Sequence, residues 1–264
     1  MKAMCFAAAA LLSAFAAGCG SLVGVTCAPG FDAVGESCVR ASSPFGIVGP
    51  GHSVVLGMDF SAVEPATPEA RLLGNAVFMA AADPVRILDY REHAEWNASS
   101  VTNVVYLVAD EAVARDRTLV ATVARSAEDA REQLESGEYD IFLVHDQAAA
   151  EEGILAGIGA EWAPAIEGFV EKSGNVVMLA TATGSGEMGE LISASGVLEI
   201  TAIHPAEPAE IESASPDALG AGVKGPFTGE QAVASFDVEI VAGQPFTPVL
   251  TTLDGAPVAI HRFW

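Results

Sequence analysis

The amino-acid sequence predicts an α/β protein with a doubly wound, mainly parallel sheet and antiparallel C-terminal strands. From residue 51 onward, short apolar runs of strand length alternate with segments of helical periodicity. The runs are apolar throughout rather than on alternate residues, which is typical of parallel strands that helices cover on both faces. The last three strand-like runs have no helix between them, so antiparallel pairing is expected at the end of the chain.

The first half of this domain contains three strands and three helices. A strand at 52–57 precedes a helix at 68–82, which has Pro68 near its first turn. A strand at 85–88 follows. Four valines and Ala112 then recur at helical spacing over 101–112, although the β-branched valines would also suit a strand. After a strand at 118–123, Ser126 and Asp129 have the spacing of a helix cap. This helix is expected to end at Gly137.

The second half completes the parallel pattern and then departs from it. The predicted elements are a strand at 140–144, a helix at 164–172, a strand at 176–180, a helix at 187–194 and strands at 197–203, 232–240, 247–252 and 257–263. Ser173 and Gly174 are expected to stop the helix at 164–172, and Asp254 with Gly255 predicts the turn of a hairpin. The segment 206–229 is rich in Pro, Gly, Ser and Glu, so it is expected to be irregular. Residues 49–264 are therefore predicted to form one α/β domain.

The N-terminus has the pattern of an export signal. Lys2 precedes an apolar run over residues 5–17, and the sequence AAGC closes it at residues 16–19. This arrangement resembles a bacterial lipoprotein signal, with residues 1–18 as the signal peptide. The resemblance implies that Cys19 is lipidated and tethers an exported protein to a membrane. Gly20 after the cysteine resembles the class sorted to the outer membrane. The alternative is ordinary cleavage after Ala16 or Ala17, which would release a soluble periplasmic or secreted protein.

Residues 19–48 are predicted to be a separate tether. Lipidation of Cys19 leaves Cys27 and Cys38 as an even pair, which predicts a small disulfide loop in an oxidising compartment. A structural zinc site is disfavoured because it requires four ligands, and no His or third Cys is near the pair.

The charge of the chain excludes one class of partner. The sequence has 12 basic and 35 acidic residues, a formal charge of −23, and cleavage before Cys19 removes Lys2 and leaves −24. A surface this acidic repels nucleic acid. The expected partners are the membrane, through the lipid at Cys19, and a small polar ligand or a protein of the cell envelope.

Three segments of the domain carry a family resemblance. Residues 139–145 (YDIFLVH), 166–179 (IEGFVEKSGNVVML) and 254–259 (DGAPVA) resemble the flavodoxin-like fold of class I glutamine amidotransferases and their trehalose-utilisation-type relatives. The family's chemistry needs a cysteine on the turn that here spans residues 180–184, and no cysteine follows Cys38. Thiol-based amide hydrolysis is therefore excluded. Thr183 and Ser185 are weaker candidates as substitute nucleophiles, since neither lies in a Gly-x-Ser-x-Gly elbow.

Polar residues follow the carboxyl ends of several predicted strands, where ligands bind in open parallel sheets. Asp59, His145 and Asp146 are the candidate ligand or metal residues, because carboxylates and imidazole suit divalent cations and polar ligands. Asp89 and Thr181 are weaker candidates at the same edge. The alternative, which the residue types favour, is that each residue caps a helix or a turn.

These observations lead to a function without catalysis. We expect the α/β domain to bind a small polar ligand or an envelope partner, with no cofactor unless a divalent cation occupies the strand ends. A metal-assisted hydrolase with its site at the strand ends is one alternative. A structural surface protein without a pocket is the other.

Overall fold

The structure is a computed structural model that describes residues 31–34, 37–40, 51–95, 99–182, 187–206, 211–212, 217–223, 227, 233–242 and 244–264. The elements in chain order are β1 (Phe31–Val34), β2 (Ser37–Arg40), β3 (His52–Leu56), α1 (Pro68–Val77), β4 (Val85–Tyr90), α2 (Ser99–Ala114), β5 (Leu119–Val123), α3 (Ala127–Ser136), β6 (Ile141–Val144), α4 (Ile154–Glu171), β7 (Asn175–Leu179), α5 (Met188–Ala194), β8 (Ile200–Ala206), β9 (Ile211–Glu212), β10 (Val233–Val238), β11 (Phe246–Thr252) and β12 (Pro257–Phe263).

Eight of the described strands form one sheet in the order β5-β4-β6-β7-β3-β12-β11-β9. The five strands from β5 to β3 are parallel to one another. The other three continue the sheet beyond β3 with antiparallel pairing. The predicted α/β class with a mainly parallel arrangement and antiparallel C-terminal strands is confirmed at this level.

Helices cover both faces of the parallel strands. Helices α1 and α2 pack together, and α4 packs against α3 and α5. In β3, Val54 joins the apolar cluster that contains α1 and α2 residues, whereas its neighbour Val55 joins the cluster of α3, α4 and α5. Successive side chains of a strand point to opposite faces, so a strand apolar at every position is buried on both.

The connections diverge from two neighbouring strands. Strand β4 leads through α2 to β5 on one side, whereas the adjacent β6 leads through α4 to β7 on the other. Such a reversal opens a crevice at the carboxyl ends of the two strands, which is where ligands bind in sheets of this kind.

Local sequence signals explain several helix boundaries. Thr67 caps α1, its hydroxyl accepting a hydrogen bond from the Ala70 amide, with Pro68 in the first turn. Ser126 caps α3 by accepting from the Asp129 amide, and Gly137 ends α3 with a left-handed φ of 71°. The predicted cap and stop of α3 are confirmed.

The predicted start of α4 was wrong. The helix begins at Ile154, ten residues before Pro164, which lies inside it. The apolar stripe explains the difference, because Leu155, Ile158 and Trp162 continue the buried face toward the N-terminus and pack on the sheet. Gly153 starts the helix with a left-handed φ of 82°.

Strand β8 also differs from the prediction. It begins at Ile200 rather than at residue 197, and it pairs with β10 in a separate two-stranded ribbon. The segment 206–229 contains strand β9 and turns over 217–223 among its described residues. The C-terminal hairpin is confirmed, with β11 and β12 joined around Gly255, whose φ is 89°.

The N-terminal predictions fall largely outside the described residues. The signal peptide, Cys19 and Cys27 all lie there, whereas Cys38 belongs to β2, which pairs antiparallel with β1. The disulfide between Cys27 and Cys38 stays a prediction. No helix in the described part of the chain is long and apolar enough to cross a membrane.

Candidate functional site

A cavity of about 360 Å³ lies at the carboxyl ends of the parallel strands. Residues that follow β3, β4, β6 and β7 line it, together with the N-terminal turns of α2. Asp59, His145, Asp146 and Thr181 are among the lining residues, so the structure brings four of the predicted site residues together around one space.

Asp59 is held by the turn that follows β3. Its carboxylate accepts hydrogen bonds from the Ser61 amide at 2.8 Å and from the Ser61 hydroxyl at 2.9 Å. Gly57 sets the path into this turn, because a Cβ there would lie 2.1 Å from the Ala234 carbonyl oxygen. Asp59 therefore caps a turn, as the alternative interpretation expected, and also lines the cavity.

Asp146 connects the ends of two neighbouring strands. Its carboxylate accepts hydrogen bonds from both the amide and the hydroxyl of Thr181, which follows β7. Burial raises the pKa of Asp146 from its ordinary value to about 6. The carboxylates of Asp59 and Glu95 add to this rise in pKa, and the hydrogen bonds from Thr181 oppose it. The protonation of Asp146 therefore changes close to neutral pH.

Asp89 lies behind the cavity rather than in its lining. Its carboxylate, 2% exposed, is 3.1 Å from Nε2 of His145, and its other oxygen is 3.1 Å from the guanidinium of Arg91. The two atoms of Asp89 and His145 are within ion-pair distance, but their geometry is not that of a hydrogen bond, and neither atom has another hydrogen-bond partner among the described residues. The buried carboxylate of Asp89 therefore places a negative charge against the imidazole of His145 from behind the cavity.

Glu95 is a site residue that the sequence patterns did not identify. It lies five residues beyond β4, is exposed, and lines the cavity near Asp146. Its one sequence signal is a carboxylate close after a strand whose neighbours already carry site residues. Because the segment after β4 has no regular periodicity, its return toward the cavity could not be read from the pattern.

The start of α2 forms the apolar wall of the cavity. Val101 and Val104 line it from the first turns of the helix, and Leu179 lines it from the end of β7. Ser99 and Ser100 stand beside them at the N-terminus of the helix. The cavity thus combines a carboxylate-rich side with an aliphatic side.

Two of the weaker candidates, Thr183 and Ser185, lie outside the described residues. Within the part of the chain that the structure describes, no group of three or more His, Cys, Asp or Glu side chains has an arrangement that could hold a metal ion.

A second polar cluster lies at the opposite end of β3. His52 Nδ1 is 2.8 Å from His261 Nε2, and His261 Nδ1 is 2.8 Å from a carboxylate oxygen of Asp217. All three residues are buried. The sequence separates His52 and His261 by 209 positions, so only the antiparallel pairing of β3 with β12 makes them neighbours.

The comparisons with known proteins show no family for this chain. No family model matches the chain, and no curated protein matches it. Among solved structures, a peptidase from an acI-B1 Actinobacterium is similar at a TM-score of 0.33 and 12% sequence identity. The similarity covers 54% of this chain and 58% of the peptidase chain.

Proposed function

We propose that this protein is an exported, membrane-anchored lipoprotein whose α/β domain binds a small polar ligand without transforming it. The observation that carries the proposal is the convergence of Asp59, His145 and Asp146 on one cavity at the strand ends. Its volume of about 360 Å³ lies in the lower range of small-molecule sites. A cavity of this kind supports the proposal over a structural surface protein without a pocket.

The finer fold assignment is part of this proposal. If β4 is counted as the first strand and β3 as the last, the parallel order β5-β4-β6-β7-β3 becomes 2-1-3-4-5. That is the flavodoxin-like order, and it supports a permuted flavodoxin-like or class I glutamine amidotransferase-like fold. The lack of any cysteine after Cys38 supports a binding role for this fold in place of the family's thiol chemistry.

The metal-assisted hydrolase is the second candidate, and one contact favours it. A histidine that binds a metal commonly has its other nitrogen against a carboxylate, as His145 has with Asp89. Asp59 and Asp146 would then supply oxygen ligands. We place ligand binding first because no three His, Cys, Asp or Glu side chains among the described residues are arranged to hold a metal ion. The hydrolase would therefore require side chains of the cavity to move.

Ligand-induced stabilisation of the full chain tests the binding function. We expect at least one small polar compound or divalent ion from a panel to raise the melting temperature. Asp59→Asn and Asp146→Asn should each abolish that rise, because the cavity loses a carboxylate. The readout is the difference between melting temperatures with and without ligand. Comparing each variant with itself separates the effect of the ligand, to first order, from a change in the variant's own stability.

Glu167→Gln is the matched control, since Glu167 is an exposed carboxylate on α4. It should leave the ligand-induced rise unchanged. A rise that EDTA removes, followed by turnover of an ester or phosphoester, would replace the binding function with the hydrolase. No rise with any compound, or a rise that both cavity variants keep, would contradict the proposed site.

The anchor is tested separately at Cys19. We expect Cys19→Ser to end incorporation of radiolabelled palmitate and to move the protein out of the membrane fraction, because the thiol is the acceptor of the lipid. Cys5→Ser is the control, since Cys5 lies in the predicted signal peptide and is lost on cleavage. Wild-type protein without palmitate label, or Cys19→Ser protein that still carries it, would contradict the lipoprotein assignment.

A further inference from the structure

The charge of the cavity is unbalanced. Asp59, Glu95 and Asp146 contribute three carboxyl groups, and none of the described residues that line the cavity is Lys or Arg. Segments 96–98 and 183–186, which adjoin lining residues in the sequence, also contain no Lys or Arg. Arg91 is paired with Asp89, which lies behind His145. The remaining basic group of the lining, His145, lies against the carboxylate of Asp89. Three carboxyl groups with no Lys or Arg among the described lining residues favour a positively charged occupant.

The apolar side of the cavity limits the kind of cation. Met58 and Phe60, the two residues that flank Asp59 in the sequence, line the cavity together with Val101 and Val104. All four are almost fully buried, between 1% and 3% exposed. A hydrated divalent ion would use the carboxylates and leave these walls unused. An organic cation would bury its alkyl chain against them.

We propose that the cavity binds a small alkylammonium ion, with its ammonium group on the carboxylates of Asp59, Glu95 and Asp146 and its alkyl chain against Val101 and Val104. The inference rests on the proposed ligand-binding function and names its ligand class. An ammonium group has three N–H donors and no acceptor, which matches walls of carboxylate oxygens. Its charge-assisted hydrogen bonds are the strong kind.

A series of four-carbon compounds isolates the head group. Calorimetric titration of the full chain near neutral pH, in about 0.15 M salt to screen the acidic surface, would compare butylamine and putrescine with butanol and butyrate. We expect saturable binding of the amines, about tenfold or more above butanol, and no binding of butyrate. Magnesium and calcium chloride are titrated in parallel.

Two cavity variants and one surface variant locate the binding. Glu95→Gln and Asp146→Asn should each weaken amine binding about tenfold or more, because each removes a charge-assisted contact. Glu95 is exposed, so its variant keeps the test valid if Asp146→Asn folds poorly. Glu167→Gln should retain wild-type affinity. Circular dichroism would verify that each variant is folded.

The outcomes separate this inference from the proposed function. Amine binding that Glu95→Gln and Asp146→Asn leave unchanged would be attraction to the acidic surface and would overturn the inference. A neutral, anionic or metal ligand that stabilises the wild type but not Asp59→Asn would overturn the amine class and leave the binding function standing. Failure of every compound to bind would overturn both.

Discussion

Trp162→Ala is expected to lower the free energy of unfolding by about 3–5 kcal/mol, the range for removing a large aromatic side chain from a core. Trp162 is 1% exposed on the buried face of α4. Its ring meets Tyr90 of β4 edge to face at 4.7 Å and Phe142 of β6 at 5.1 Å. Its indole N–H donates to the Ala127 carbonyl at 2.9 Å. The variant would leave a cavity between α4 and two central strands and would remove the indole donor from the partly buried Ala127 carbonyl.

Two further variants separate packing from hydrogen bonding. Trp162→Phe keeps an aromatic ring and loses the indole donor, so we expect a loss of about 1–2 kcal/mol. Tyr106→Ala changes an exposed aromatic residue of α2 and should alter stability by less than about 0.5 kcal/mol. Denaturant unfolding followed by far-ultraviolet circular dichroism measures all three. A loss below about 1 kcal/mol for Trp162→Ala would contradict the role of this contact in joining helix and sheet.

The same central strands show what sequence patterns can predict. A strand that is buried on both faces is apolar at every residue. In β3, for example, the adjacent residues Val54 and Val55 belong to apolar clusters on opposite faces of the sheet. The α/β class is therefore visible locally. The convergence of Asp59 and Asp146 was predictable on the same basis, since parallel strands that run in one direction end at one edge.

The order of the strands in the sheet could not be predicted from local sequence patterns. Asp89 contacts His145 because β4 and β6 are neighbours, a pairing that depends on long-range hydrogen bonds. Similarly, His52 meets His261 only through the pairing of β3 with β12. No local periodicity encodes which strands lie side by side, so these contacts required the structure.

Local rules also competed with one another. Pro164 matched the preference of proline for a first helical turn, yet the amphipathic stripe around Trp162 extended α4 through it. Burial of several apolar side chains outweighs one lost backbone hydrogen bond. Glu95 was missed for a different reason, because irregular segments carry no period that predicts where they return.

Asp146→Asn is expected to stabilise the protein at about pH 7.5 by roughly 2–3 kcal/mol. Burial raises the pKa of Asp146 to about 6, from a value of 3.8 without the fold, so ionisation at neutral pH acts against the folded state. Asparagine has nearly the same shape and no charge to bury. Its side-chain oxygen can still accept from the amide of Thr181, which donates to Asp146 in the wild type.

The direction of this effect follows from how the stability of the wild type depends on pH. Because the folded-state pKa is the higher one, the folded state of the wild type holds more protons than the unfolded chain between about pH 4 and pH 6. Wild-type stability should therefore fall as the pH rises through this window, with the contribution of Asp146 fully present only below about pH 4. Asp146→Asn lacks this titration, so its advantage should be large at about pH 7.5 and nearly absent at about pH 4.

Denaturant unfolding of wild type, Asp146→Asn and Glu167→Gln across this pH range would measure the difference. Glu167→Gln removes one surface carboxylate and reports the general relief of negative charge, so the gain of Asp146→Asn must exceed it. Equal stability of Asp146→Asn and wild type at about pH 7.5 would mean that Asp146 is an ordinary turn cap whose charge costs the fold nothing. A gain in stability together with loss of ligand binding would have a different meaning. It would identify a carboxylate that weakens its own fold at neutral pH and recovers that free energy when a cation binds beside it.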